Sequence, residues 1–291
     1  MSVFAKGLSV PEGPVYLPDG SWLVVEMGPE RGCVTQISAD GKRKRIVAKT
    51  GRPNGLAVDR SGAIWVAESQ YRALLRLTLE GRYEAVATEC DGEPFLFPND
   101  LCFGPDGALY LTDSGILFRD FVRDGKPRED YKVVPMDGRV YRVDIETGKV
   151  VKLDSGIRFT NGIAFGPDEN LYVNETITGM VYRYNWTRGG SVGKREDFGN
   201  VIDPEAPKGF KGPDGMAFGE NGRLFVTVFG QQDVTVLGPQ GRVVERIRTQ
   251  GRLPTNVAFG ARGTRKIYVT EDELGQIEVI EVETDGLPLY D

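Results

Sequence analysis

Pro98-Asn99-Asp100-Leu101-Cys102-Phe103-Gly104-Pro105-Asp106-Gly107-Ala108-Leu109-Tyr110-Leu111-Thr112-Asp113 contains the unit from which the whole chain is built. It reads as a proline–amide head, an apolar run, a corner rich in Gly, Pro and Asp, and a second apolar run that ends on an acid. The corner residues tolerate the positive φ of tight hairpin turns, and the flanking runs favour strands. The head returns as Pro11-Glu12-Gly13, Pro53-Asn54-Gly55, Thr160-Asn161-Gly162, Pro213-Asp214-Gly215 and Thr255-Asn256-Val257. From Glu12 to Asn256 the six copies lie 42, 45, 62, 53 and 42 residues apart. A period of about 40–50 residues, with several strands in each, is the mark of propeller blades. The pattern predicts an all-β, six-bladed β-propeller of four-stranded blades. Its blades start near residues 11, 53, 98, 160, 213 and 255, and a single domain spans residues 1–291.

The outer strands are as regular as the inner ones. Leu74 to Thr78 turns through Glu80-Gly81 into Tyr83 to Ala87, and Val140 to Ile145 turns through Thr147-Gly148 into Val150 to Leu153. Val3-Phe4-Ala5-Lys6-Gly7 resembles such a fourth strand but precedes the first head, while the last copy ends soon after Ile277 to Glu283. The N-terminal strand is therefore expected to complete the last blade and remove the open edge.

Composition limits the function. The net charge is −6 at pH 7, which argues against a nucleic-acid partner. The N-terminal residues carry no cationic leader or apolar core, and no stretch is long enough to span a bilayer; the expectation is a cytoplasmic protein without a membrane partner. Cys33, Cys90 and Cys102 lack metal-ligand spacing and read as free thiols. There is no histidine. Ser-His-Asp and Cys-His nucleophile schemes and the histidine zinc sites are thereby excluded.

A propeller places Glu12, Asn54, Asn99, Asn161, Asp214 and Asn256 around one axis. Such a set offers only oxygen ligands, which suit hard cations: Ca²⁺ first, then Mg²⁺ or Mn²⁺. The second strands end on Glu26, Glu68, Asp113, Glu175, Val228 and Glu271, so a second set of acids is expected at the same channel mouth. Carboxylates gathered in this way repel one another unless a cation sits among them or some stay protonated.

The phrases Pro11-Glu12-Gly13-Pro14, Pro98-Asn99-Asp100, Thr160-Asn161-Gly162-Ile163-Ala164-Phe165 and Pro213-Asp214-Gly215-Met216-Ala217 carry a resemblance. The chain resembles the gluconolactonase/regucalcin (senescence marker protein) family, whose wider relatives include diisopropyl fluorophosphatases. That resemblance implies a divalent ion, usually calcium, held by Glu12, Asn161 and Asp214, with Asn99 as a fourth ligand or substrate contact. Asn54, at the same place in the second blade, is a further candidate substrate contact. Sugar-lactone members resemble an Arg-x-Asn pattern in the third blade, and here Phe97 stands at the Arg position. An aromatic there favours a less polar lactone or ester over a polyhydroxylated one. The absence of histidine weakens a phosphotriesterase-like reading.

The implied activity is opening of a small-molecule lactone or related ester, with the cation polarising the carbonyl and a carboxylate activating water. Asp214 is the first candidate base and Asp113 the second. Residues 115–139 lengthen the gap after the third head, and their aromatics Phe118, Phe121 and Tyr131 suit a flap over the channel mouth. The rival reading from another class is a non-catalytic calcium-binding propeller module.

Overall fold

The computed structural model describes residues 1–123 and 125–290. Six four-stranded antiparallel sheets stand as blades around an axis. The innermost strands are Pro11–Tyr16, Pro53–Val58, Pro98–Phe103, Thr160–Phe165, Gly212–Phe218 and Pro254–Phe259. In blade 3 the order outward is Pro98–Phe103, Leu109–Asp113, Gly138–Val143 and Val150–Ile157. Blade 6 consists of Pro254–Phe259, Lys266–Glu271, Gln276–Glu281 and, as its outer strand, Ser2–Lys6. Ser2 pairs with Val279 and Lys6 with Gln276, so the N-terminal strand closes the last blade as the repeat pattern predicts.

Each sheet buries both faces against its neighbours. Leu23, Val25 and Val34 of blade 1 meet Leu56, Ile64 and Val66 of blade 2. Trp65 and Leu74 of blade 2 meet Phe103, Leu109 and Tyr141 of blade 3. The aromatic contacts at this second seam include Trp65 against Phe103, with ring centroids 6.5 Å apart at a steep angle. Removing such a buried ring, as in Phe103→Ala, costs about 3–5 kcal/mol, because a propeller seam cannot collapse into the void.

All six inner strands carry one extra residue where they leave register with the second strand. Pro53 pairs with Glu68 and Leu56 with Val66; Pro98 pairs with Asp113 and Leu101 with Leu111; the other four blades break likewise. A bulge of this kind bends the strand and re-aims its side chains. The bulges coincide with the repeated heads, which is how one phrase per blade supplies one side chain at the axis.

The glycine after the head residue has a packing role. A Cβ on Gly55 would lie 2.5 Å from Asp100 Oδ1, one on Gly162 would lie 2.3 Å from the Asp214 carbonyl oxygen, and one on Gly215 would lie 2.1 Å from Asn256 Cγ. Neighbouring inner strands thus approach too closely for any side chain there, and these Asn-Gly and Asp-Gly pairs mark contact between blades, not turns.

Candidate functional site

A cavity of about 870 Å³ opens on the axis, and Glu12, Asn54, Asn99, Asn161 and Asp214 all line it. Glu12, Asn54, Asn99 and Asn161 are buried, and Asp214 is half-buried. Asn256 stands beside them without lining the cavity; its Nδ2 donates to Glu12 Oε2 at 2.9 Å.

The hydroxyls around the axis decide which way the amides face. Ser114 Oγ donates to the Thr160 carbonyl at 3.0 Å and therefore accepts from Asn99 Nδ2, also at 3.0 Å. Thr176 Oγ1 repeats this one blade on, donating to the Pro213 carbonyl at 2.9 Å and accepting from Asn161 Nδ2 at 3.1 Å. With the nitrogen engaged in this way, the amide oxygen of each Asn is the atom left for the axis. Sequence reasoning missed Ser114 and Thr176; the available signal was a hydroxyl directly after the terminal acid of the second strand.

A third buried acid joins the set. Asp100 occupies the place where four other copies have Gly, and Gly55 leaves the room it fills. Asp100 Oδ1 accepts from the Leu101 N–H at 2.9 Å, and Asn256 Nδ2 approaches its Oδ2 at 3.5 Å. Burial pushes the Asp100 carboxyl up to about 7. Burial also lifts Glu12 well above the ordinary carboxylate range, reinforced by the charges of Asp214 and Asp100 and opposed by donors from Asn256 and Gly13. Asp214 rises well above that range through burial, with a hydrogen bond from Asn161 opposing it and the charges of Asp100 and Asp272 adding to it. The site is short of positive charge.

These donors fit a hard divalent cation: two carboxylates that interact electrostatically and two amide oxygens turned inward. Among the described residues no three His, Cys, Asp or Glu side chains form a metal-binding cluster on their own, so the amides are integral to the set.

The second expected set of acids lies elsewhere. Glu26, Glu68, Asp113, Glu175 and Glu271 are buried, and none lines the cavity. Each carboxylate instead holds the backbone leading into the inner strand of its own blade. Asp113 accepts from the N–H groups of Leu96, Phe97 and Gly115 at 2.6, 3.0 and 2.8 Å. Glu68 accepts from Arg52, Gln70 and Tyr71, and Glu271 accepts from Leu253, Glu273 and Leu274. The expectation of acids facing the channel is corrected: buried N–H groups must be satisfied, and these carboxylates satisfy them. Asp113 is correspondingly badly placed to be a base.

Phe97 lines the cavity, with its ring 5.7 Å from those of both Phe118 and Phe159. The flap segment closes one side, where Leu117, Phe118, Phe121, Val122 and Pro127 reach the cavity. Phe118–Phe121 forms a short helix. Tyr131 anchors the segment to the blade 5 approach through a hydrogen bond to the Gly209 carbonyl and a ring contact with Phe210 at 5.0 Å.

Residues 10–272 match the SMP-30/Gluconolactonase/LRE-like region. The chain is 32% identical to a pentonolactonase of Haloferax volcanii over 276 residues, which covers 89% of this chain and 80% of that protein. It is 28% identical to a gluconolactonase of Zymomonas mobilis over 283 residues, covering 90% and 76%. Among solved structures, a calcium-binding regucalcin of Agrobacterium tumefaciens superposes with a TM-score of 0.80 at 22% identity, covering all of this chain and 97% of the other.

Proposed function

This chain belongs to the SMP-30/gluconolactonase/LRE-like family, and on that footing we propose that it is a divalent-metal-dependent lactonase. The observation that supports this most strongly is the convergence of Glu12 and Asp214 with the oriented amides of Asn99 and Asn161 on one cavity floor. Glu12, Asn99, Asn161 and Asp214 would hold the ion, with calcium the first choice for an all-oxygen set. A cation there supplies Lewis-acid polarisation of the carbonyl and compensates the charge that develops on its oxygen.

The protein's own residues do the rest. Asp214 is the candidate base, accepting the proton of the attacking water at its carboxylate. The Asn174 Nδ2 holds the Asp214 carbonyl at 2.7 Å, so the residue is fixed from its backbone while its carboxylate faces the cavity. Asn54 and Phe97 line the space a lactone would occupy, and apolar flap residues line its far side.

The test is pH-stat hydrolysis of a panel of alkyl, aryl and sugar lactones with and without chelator. Turnover that chelation abolishes and calcium restores is expected. Tight calcium binding with no turnover on any lactone or aryl ester would favour the non-catalytic module.

A further inference from the structure

The wall of the cavity above its floor is sharply divided. Phe97, Phe118, Phe121, Phe159, Phe210 and Phe229 line it from blades 3, 4 and 5 and the flap. They form a continuous chain: Phe121 lies 4.5 Å from Phe159 and 5.8 Å from Phe210, and Phe210 lies 5.9 Å from Phe229. Set into this apolar surface from blade 2 is the guanidinium of Arg52. It lies 3.6 Å from the centre of the Phe118 ring and 5.7 Å from that of Phe97.

Arg52 has spent little of its bonding capacity. Its backbone N–H is held by the Glu68 carboxylate at 2.9 Å, but among the described residues its guanidinium makes one long hydrogen bond, from Nη1 to Ser69 Oγ at 3.4 Å. Among the described residues it has no ion pair, because Glu68 is occupied with backbone N–H groups and Asp272 acts on it only at longer range. Burial draws its pKa down to about 10, so it still carries its charge at neutral pH. A planar cation with free donors, braced on an aromatic face inside a cavity, is suited to bidentate recognition of an oxyanion.

Two further arginines line the same cavity at its exposed rim. Arg72 belongs to the turn whose Gln70 and Tyr71 N–H groups bind Glu68, and Arg119 directly follows Phe118. Neither forms an ion pair among the described residues. Away from the floor, Asp272 is the carboxylate that lines the cavity among the described residues, and its charge opposes an anion there.

We propose that Arg52 determines specificity in this cavity by gripping an anionic group that the substrate carries on an apolar frame. The anion is a carboxylate, sulfonate or phosphate distant from the bond that is cleaved, and the phenylalanine wall takes the frame. The proposal rests on the lactonase reading for the bond broken and stands apart from it for binding.

The test is isothermal titration of the full chain in chelator, so that no cation can capture the probes. Those probes are 3-phenylpropionate, 2-phenylethanesulfonate and 2-phenylethyl phosphate, with 3-phenylpropan-1-ol as the neutral control. At least one acid should bind tenfold or more tightly than the alcohol, and the ranking of the three identifies the anion. Arg52→Gln should erase that preference with the alcohol affinity kept within about twofold, Arg52→Lys should recover part of it, and Asp272→Asn should strengthen it. Equal binding of acids and alcohol by the unaltered protein, or an undiminished preference in Arg52→Gln, overturns the proposal. Acid preference without hydrolysis of any lactone would sink the lactonase reading and leave this one standing.

Discussion

Asn256 donates a hydrogen bond to Glu12 at 2.9 Å, so the last repeat of the chain touches the first across 244 residues of sequence. The bond does two things. It helps close the circle of blades, alongside Thr255 Oγ1 donating to the Pro11 carbonyl at 2.7 Å. It also stabilises the ionised form of Glu12, the form that can hold a cation.

Asn256→Ala should therefore weaken calcium binding in a pH-dependent way. Without the donor the Glu12 carboxyl titrates still higher, so protons compete with the cation for it more strongly as the pH falls. The expected loss of affinity is about tenfold at the acid end of the calcium-binding pH profile and much smaller at its alkaline end, in the range typical of groups that support metal ligands. Calorimetric titration at the two ends checks this. An equal loss at both would show that Asn256 acts only through packing.

The same carboxyls give the metal-free protein a distinctive stability profile. Glu12 and Asp214 titrate well above the ordinary range and Asp100 at about 7. Between about pH 4 and 7 the folded chain thus holds more protons than the unfolded chain, and stability falls as pH rises through that window. Cation binding needs the ionised forms and strengthens over the same range. The rise in Tm on adding calcium to chelated protein should be larger at pH 7.5 than at pH 5, by scanning calorimetry. A larger rise at pH 5 would contradict the assignment of these acids to a cation site.

Deleting residues 1–9 removes the outer strand of blade 6 and exposes the edge of Gln276–Glu281. It also removes the N–H of Ser9, which donates to the Glu26 carboxylate at 2.9 Å. The deletion should lower Tm substantially, because an open edge also loosens the seam with blade 1. An unchanged Tm would mean that the closing strand contributes nothing to the ring.

Phe97→Arg tests the polarity of the pocket. It introduces a hydrogen-bonding cation where an aromatic now packs against Phe118 and Phe159. Preference should move towards polyhydroxylated lactones and away from alkyl-substituted ones, by an order of magnitude or more in the ratio of kcat/KM values. A ratio that does not change would show that this wall does not select substrates.

The fold was legible because every blade repeats one phrase at a fixed place. The break in register, the close approach of neighbouring inner strands and the axial side chain all act on the same three residues, so six copies expose a common constraint. The closing strand could be read because Val3 to Gly7 has the pattern of an outer strand with no inner strand ahead of it. The axial residues Glu12, Asn99, Asn161 and Asp214 were legible for the same reason. The strand-end acids were misjudged because a carboxylate that caps backbone N–H groups and one that faces a channel look alike in sequence. Asp100 and Arg52 were not identified because each departs from the repeat in a single copy. Only the contacts of Asp100 with Gly55 and Asn256, and of Arg52 with Phe118, give those departures a meaning.

The most direct test of the account separates ligand from base at Asp214. Asp214→Asn keeps an oxygen for the cation but loses the proton acceptor, whereas Glu12→Gln mainly weakens the hold on the cation. With calcium saturating, Asp214→Asn should still bind calcium but lose about 10²–10⁴-fold in kcat on the best lactone, and Glu12→Gln should regain activity as calcium is raised. A near wild-type kcat for Asp214→Asn at saturating calcium would contradict the account.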